Sequence, residues 1–361
     1  MKVFVHLARG FGDETWGKLW RSGKLLGLNE EHAYGYNHAA SPDVQVVYAS
    51  DGPETRLQKL IRYAGRAILG FDVVHAWRNR EKMLEADVVW THTESQTLGV
   101  LLLFRLMRGR VPKLLGQTVW LVDRWAKQPW PRRLLYRFLL HRLDVLTTLS
   151  SLNCQDARGL FPWVRVESVL FGIKADGMRP ARGPHDNGPM KVLSLGNDEH
   201  RDWPTLCTAM SSLPDATLRI ASSSKAAARA AKGHRNVEVM KIRDNATLFA
   251  AYEQADVVVV SLSENRHASG ITVILEAIYF GVPLIATDCG GLTDYLDHDA
   301  VLYVPPGDPA ALAAAIRSVR QNPKAAKQRV ERAQERMKTE LSSVAYAQRY
   351  VELSREVCGK V

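Results

Sequence analysis

Between residues 256 and 260 the chain reads Asp-Val-Val-Val-Val, a run with no polar face to offer water. A strand of that composition has to be covered on both sides, which is the situation inside a parallel sheet flanked by helices. Similar short runs recur at 3–8, 72–77, 87–92, 113–119 and 145–150, and again at 191–196, 217–221, 237–240, 256–261, 283–287 and 301–304. Longer helical patterns separate them, so the chain reads as successive βαβ units of an α/β protein.

At 361 residues the chain is too long for one ordinary core and suits two. The break is expected at 175–190, where Gly177, Pro180, Gly183, Pro184, Gly188 and Pro189 can continue neither a helix nor a central strand. Residues 1–174 then form one doubly wound, Rossmann-like domain and 175–341 a second. A last helix, within 342–361, is expected to return to the first. Two such domains in tandem predict a cleft lined by the carboxyl ends of strands.

The net charge of +10 is concentrated in the first half. Residues 1–175 hold 25 Lys and Arg against 16 Asp and Glu, and within 100–142 ten basic residues face one acid, Asp123. Charge of this kind speaks of anionic partners, not of fold. No apolar run reaches the roughly 18 residues that span a bilayer. Four scattered cysteines (Cys154, Cys207, Cys289, Cys358) lack metal or disulfide spacing, and no secretory leader is read. A cytoplasmic location is expected.

Chemistry concentrates in SLSENRHASGITVILEAIYFGVPLIATDCGG, residues 261–291. Ser269 is the expected N-cap of a helix starting at Ile271, and Gly270 lets a ligand approach the backbone. The free N–H groups and dipole of that helix start suit a diphosphate. Glu276 follows six residues after Gly270, about 9 Å along the helix, where a carboxylate can accept from ribose hydroxyls. A surface or capping role for Glu276 fits the spacing equally well.

That segment resembles the nucleotide-sugar motif of GT-B glycosyltransferases, in particular the retaining glycosyltransferase family 4 (group 1). The resemblance extends to KVLSLG with RDWPTL behind it, YEQADVVVVSLSE and VLYVPPGDPAALAAAI. It implies a hexosyltransferase of two Rossmann-like domains. The donor would be a UDP- or GDP-linked sugar, the acceptor a saccharide or lipid-linked glycan of bacterial cell-surface polysaccharide synthesis. Neither metal nor cofactor is implied. By position, Glu276 matches the family's ribose-binding glutamate, Gly270, Ile271 and Thr272 the helix start facing the diphosphate, and Arg201 a phosphate-binding cation. Asn197 stands where many relatives have a second cation, with Lys225 a substitute. The family's other glutamate falls on Ala268, so Glu264 from the loop, or His267 with backbone groups, would hold the sugar.

In the first domain, Gly10-Phe11-Gly12 follows the first strand, and its amides, that of Gly12 included, could reach phosphate or sugar. His92, at the end of another strand, is the candidate to hydrogen-bond the sugar or leaving group, with Glu94 behind it. A helix with Arg133, Arg137 and His141 on one stripe and Leu135, Phe138 and Leu139 on the other side suits an anionic membrane face, as does a second at 101–110. Arg132, Arg133 and Arg137 are the candidates to meet the acceptor or that membrane. A nucleic-acid-binding role lacks any recognisable module, and a GT-B epimerase would not need the basic domain.

Overall fold

The computed structural model describes residues 1–185 and 188–359. The expected break at 175–190 and the tail at 342–361 therefore lie partly outside the described residues. Two units emerge, one of Met1–Ser22, Glu30–Leu170 and Ser343–Val361, the other of Gly23–Asn29 and Phe171–Ser342.

The first unit is a six-stranded parallel sheet, in which β1 (Lys2–His6), β2 (Gln45–Tyr48), β3 (Val88–Thr91), β4 (Lys113–Gln117), β5 (Val145–Thr148) and β6 (Arg165–Ser168) run in the order 2-1-3-4-5-6. Its helices are α1 (Asp13–Arg21), α2 (Arg56–Leu69), α3 (Val73–Arg78), α4 (Arg80–Leu84), α5 (Glu94–Leu106), α6 (Trp130–Leu140) and α7 (Ser151–Leu160). In the second unit, β7 (Met190–Leu195), β8 (Ala216–Ala221), β9 (Val237–Met240), β10 (Val257–Val260), β11 (Leu284–Thr287) and β12 (Leu302–Val304) run in the order 12-11-10-7-8-9. Here the helices are α8 (Trp203–Ser211), α9 (Lys225–Ala230), α10 (Asn245–Gln254), α11 (Ile271–Tyr279), α12 (Pro309–Gln321) and α13 (Pro323–Thr339). The closing helix α14 (Ser343–Cys358) belongs to the first unit.

Each order reverses once, between β1 and β3 and between β7 and β10. The crevice at such a reversal is where open α/β sheets receive ligands. The all-valine β10 is buried along its whole length between β7 and β11, as its composition demands.

Three expectations need correction. Residues 72–77, expected as a strand, form helix α3, because Asp72 caps it by accepting the His75 N–H at 3.1 Å. The Asp72 carbonyl also lies against Gly99 of α5 so closely that a β-carbon would meet it at 2.4 Å. Tertiary packing thus overrides the β-branched Val73 and Val74. The second correction concerns β2 and β6, which the sequence did not announce; both are short edge strands of mixed residues, mostly half-buried. Third, the described part of the 175–190 stretch is not a free linker. Arg179 and Arg182 donate backbone hydrogen bonds to Tyr279 and Gly281, and the Gly281 α-carbon lies directly under the Pro180 carbonyl.

Candidate functional site

At the reversal of the second sheet, the loop after β7 and the loop before α11 meet. Arg201 leaves the first of these and is buried, at 8% exposure. Its guanidinium lies over two glycines: a β-carbon on Gly196 would meet Nε at 2.2 Å, and one on Gly270 would meet Nη1 at 2.5 Å. Both glycines have positive φ, 131° and 86°, so the cradle excludes side chains by conformation and by space. The Nε and Nη1 atoms are buried without a hydrogen-bond partner. Burial pulls the arginine pKa downward, against the opposing charge of Asp198. A buried cation with unsatisfied donors costs free energy until an anion meets it.

The start of α11 points to the same place. Gly270 is its N-cap and no side chain caps it. The expectation that Ser269 is the N-cap is corrected, because its hydroxyl donates instead to Asp198 Oδ1 at 3.1 Å. Ile271 is buried, so only its backbone can serve a ligand, while Thr272 is exposed on the first turn. Asn197 is no cation substitute: its Oδ1 accepts from Ser222 and Ser223 and ties two loops together. Lys225 is exposed at the start of α9.

Asp198 gathers the loop. It also accepts the His200 N–H at 2.8 Å, and its Oδ2 stands 4.0 Å from His267 Nε2. Burial raises its pKa, but the nearby His267 and the hydrogen bonds from His200 and Ser269 outweigh that and hold the carboxyl below the usual range. Asp198, His200 and His267 also have one ligand atom each within 4.8 Å of the others, a grouping able to take a divalent cation. Ala268, where the resemblance leads one to seek a glutamate, has the left-handed φ of 53°, a strain of about 1–2 kcal/mol for a residue with a β-carbon. Beside it His267 is buried at 3% exposure, whereas Glu264 is exposed. The geometry brings His267, not Glu264, to this group.

Glu276 is at 6% exposure. Its Oε2 accepts the Tyr252 hydroxyl at 2.7 Å and its Oε1 accepts the Leu28 N–H at 3.1 Å. Burial raises its pKa, and those two donors oppose the rise. Leu28 belongs to a strap, Gly23–Asn29, clamped by Asn245, which donates to the Leu25 carbonyl at 2.8 Å and accepts the Gly27 N–H at 2.9 Å. Tyr252, Asn245, Asp198 and the strap were all missed in the sequence. Tyr252 reads as a core aromatic, and nothing local marks the strap.

The first unit builds a different kind of site. His92 directly follows β3, stacked on Tyr34 with ring centroids 3.6 Å apart, and its Nδ1 lies 3.0 Å from the Tyr36 hydroxyl. Enclosure pushes its pKa down to about 3, so the ring is neutral at physiological pH. Its tautomer follows from the chain of partners. Gln117 donates its amide to the His92 carbonyl, so Oε1 accepts the Tyr346 hydroxyl at 2.6 Å. Tyr36 must then donate to Tyr346, 2.9 Å away, and His92 Nδ1–H to Tyr36. Nε2 is left as a hydrogen-bond acceptor.

Four other expectations for this unit change. The Gly10 and Gly12 amides are already bound to the Asp51 carboxylate, at 3.0 and 2.8 Å, so Gly12 offers no free N–H to a ligand. Glu94 accepts the Val119 and Trp120 amides and fixes that loop. Residues 101–110 are not a surface helix: α5 is buried through Phe104 and stops at Leu106. In α6 the inner side is Tyr136, Leu139 and Leu140, and Phe138 is exposed beside Arg137. Arg132 is engaged at the carboxyl end of α2, donating to the Ile68 and Ala67 carbonyls; Arg133 is half-buried. A surface cavity of about 470 Å³ near Met190 and Leu213 lies at the other, amino end of the second sheet, away from these groups.

Residues 192–322 match the family of glycosyl transferases group 1. A glycogen synthase of Mycobacterium tuberculosis is 28% identical over 60% of this chain and 56% of its own length. The sucrose-phosphate synthase of Thermosynechococcus elongatus superposes with a TM-score of 0.69 at 17% identity, covering all of both chains. Anabaena HepE, solved with UDP and glucose, does so at 0.67 and 13%, covering 98% of each. Both likenesses speak of fold. The stretch from β7 to β12 that carries the buried arginine is the part of the chain that matches this family, and the two six-stranded parallel sheets share their fold with those two solved structures.

Proposed function

We propose that the chain is a glycosyltransferase that binds a nucleoside-diphosphate sugar at the Arg201–Gly270–Glu276 group and passes the sugar to a saccharide or lipid-linked acceptor. The observation that carries this reading is the buried, unsatisfied guanidinium of Arg201 over two glycines beside an uncapped helix start. A diphosphate supplies the missing acceptors. As the bond to the sugar breaks, charge grows on that diphosphate, and preformed donors stabilise it without reorganising. Glu276 would accept from ribose hydroxyls, His267 and its partner Asp198 would position the sugar, and His92 Nε2 would accept from a sugar hydroxyl. The basic surface with Arg132, Arg133 and Arg137 is assigned to acceptor recognition in cell-surface polysaccharide synthesis, and the reaction to retention without metal. The matched glycogen synthase and the UDP-bound HepE support the substrate class.

The test is a thermal-shift panel of UDP, GDP, ADP, dTDP and their sugar conjugates, with and without EDTA. One nucleotide at about a hundred times its Kd should add about 2.7 kcal/mol to folding stability. Its effect should survive EDTA, and Glu276→Ala should weaken it about a hundredfold. Stabilisation only in the presence of a divalent cation would overturn the metal-free assignment and turn attention to Asp198, His200 and His267. No stabilisation by any nucleotide would overturn the reading itself.

A further inference from the structure

Helix α2 turns one arginine inward and an apolar stripe outward. Its inward side carries Arg62, held at 8% exposure by Glu54 through Nε and Nη2 at 2.9 and 3.2 Å, with Asp72 at 3.9 Å. The outward side carries Leu57, Leu60, Ile61 and Ile68, at 65, 65, 52 and 72% exposure. These positions, spaced 3, 1 and 7 residues apart in sequence, fall on one helical stripe. A capping box of Thr55 and Gln58 starts the helix firmly and Gly70 ends it, so the stripe is displayed on a well-terminated element.

Helix α6 carries a second exposed stripe next to the end of α2. The side chains of Arg132 and Tyr136 bind the Ile68 and Leu69 carbonyls, fastening α6 to the end of α2. Trp130, Leu134 and Phe138, spaced four apart, then stand outward at 68, 58 and 54% exposure. Arg56, Lys59 and Arg66 on α2 and Arg137 on α6 are exposed beside these stripes, and neither helix contains an acidic residue.

We infer that α2 and α6 together form a docking face for an anionic lipid bilayer, with the apolar stripes entering the headgroup boundary and the basic side chains meeting lipid phosphates. Exposed apolar side chains on this scale mark an interaction site. The choice of occupant rests on charge. A surface that is apolar and purely cationic complements an anionic membrane, whereas a second copy of the chain would set the same positive charges against each other. Among the described residues no helix is long and apolar enough to cross a membrane, so attachment would be peripheral. The inference stands apart from the donor site, which involves neither helix.

The experiment is sedimentation of the full chain with vesicles of phosphatidylcholine alone or with about one-third phosphatidylglycerol. The expected result is binding to the anionic vesicles, released by high salt, and about a hundredfold weaker binding by Leu60→Asp/Ile61→Asp. Circular dichroism of that variant should match the wild type. Arg66→Glu/Arg137→Glu, which leaves the apolar stripes intact, should weaken binding about tenfold or more and abolish the preference for anionic lipid. Equal binding to both vesicle types, or unchanged binding by the apolar variant, would overturn the inference. So would a wild-type dimer in light scattering that Leu60→Asp/Ile61→Asp dissociates while vesicles capture neither form.

Discussion

The two sheets reverse their strand order in the same way but furnish the resulting crevice in opposite styles. Around the loop after β7 and the start of α11 the second unit gathers charge: a buried Arg201 with unsatisfied donors, a half-buried Asp198 accepting from Ser269 and His200, and a buried Glu276 held by a phenol and an amide. At the end of β3 the first unit joins a half-buried His92 to buried neutral groups that satisfy one another, Tyr36, Tyr346 and Gln117. A satisfied network stabilises the fold whether or not a ligand is present, whereas an unsatisfied cation stabilises only a complex. Substitutions should therefore separate, with those in the second unit acting on ligand affinity and those in the first on folding.

The sharpest separation is expected at Arg201. Arg201→Met removes charge-assisted hydrogen bonds to the diphosphate and should weaken the nucleotide selected by the thermal panel about a thousandfold. Because the guanidinium lacks partners on two of its nitrogens, its loss should change folding stability by no more than about 1 kcal/mol, in either direction. Isothermal titration and urea unfolding of the same preparation measure both. Wild-type affinity in this variant would break the comparison at its strongest point.

What the sequence disclosed follows the same division. The α/β architecture was legible because the valine-rich runs have one stable environment, and Gly270, Ile271 and Glu276 because they lie within one short segment of fixed period. Arg201 was reachable through resemblance. The partners that give these residues their chemistry were hidden by distance along the chain: Tyr252 is 24 residues from Glu276, and Leu28 is 248. In the first unit, the glycine turn after β1 read as a ligand loop because sequence shows a free amide and cannot show Asp51 already bound to it. The stripe of α2 escaped for a different reason. Amphipathic spacing specifies a stripe but not which way it points, and the partners that hold α2 with the stripe outward, Glu54 on Arg62 and Arg132 and Tyr136 at the helix end, are distant or unmarked in sequence.

His92 tests the other half of the comparison. Its pKa lies near 3 in the folded chain against 6.5 ordinarily, so the unfolded chain binds the extra proton. The stability it contributes is full above about pH 6.5 and is lost as pH falls from there toward about 3. With allowance for the partial exposure of the ring, wild type should lose about 1–2 kcal/mol more than His92→Gln between about pH 7.5 and about pH 5. His6 and His75, whose pKa values burial also lowers, contribute equally to both proteins and cancel. Parallel urea midpoints across that range would mean that His92 titrates as an exposed histidine and that the first unit's crevice is not the closed network described above.

The smallest expected effect concerns the strap on Glu276, where the second unit adopts the style of the first by giving a carboxylate an internal donor. If ribose takes Oε1, the Leu28 amide has to leave it, and Asn245 opposes that departure with its two bonds to the strap. Asn245→Ala should then tighten nucleotide binding by about tenfold, the worth of one or two net hydrogen bonds no longer holding the closed form. Gly27→Ala should act in the same direction, since its β-carbon would stand 2.7 Å from Oε1 on a backbone with φ of 99° that disfavours it. Both variants should lose a little folding stability, because the strap's contacts are native ones. Weaker nucleotide binding by Asn245→Ala would show instead that the strap stays in place and helps to form the ribose site. Glu276 would then resemble His92, a group whose position is set by its own chain before any ligand arrives.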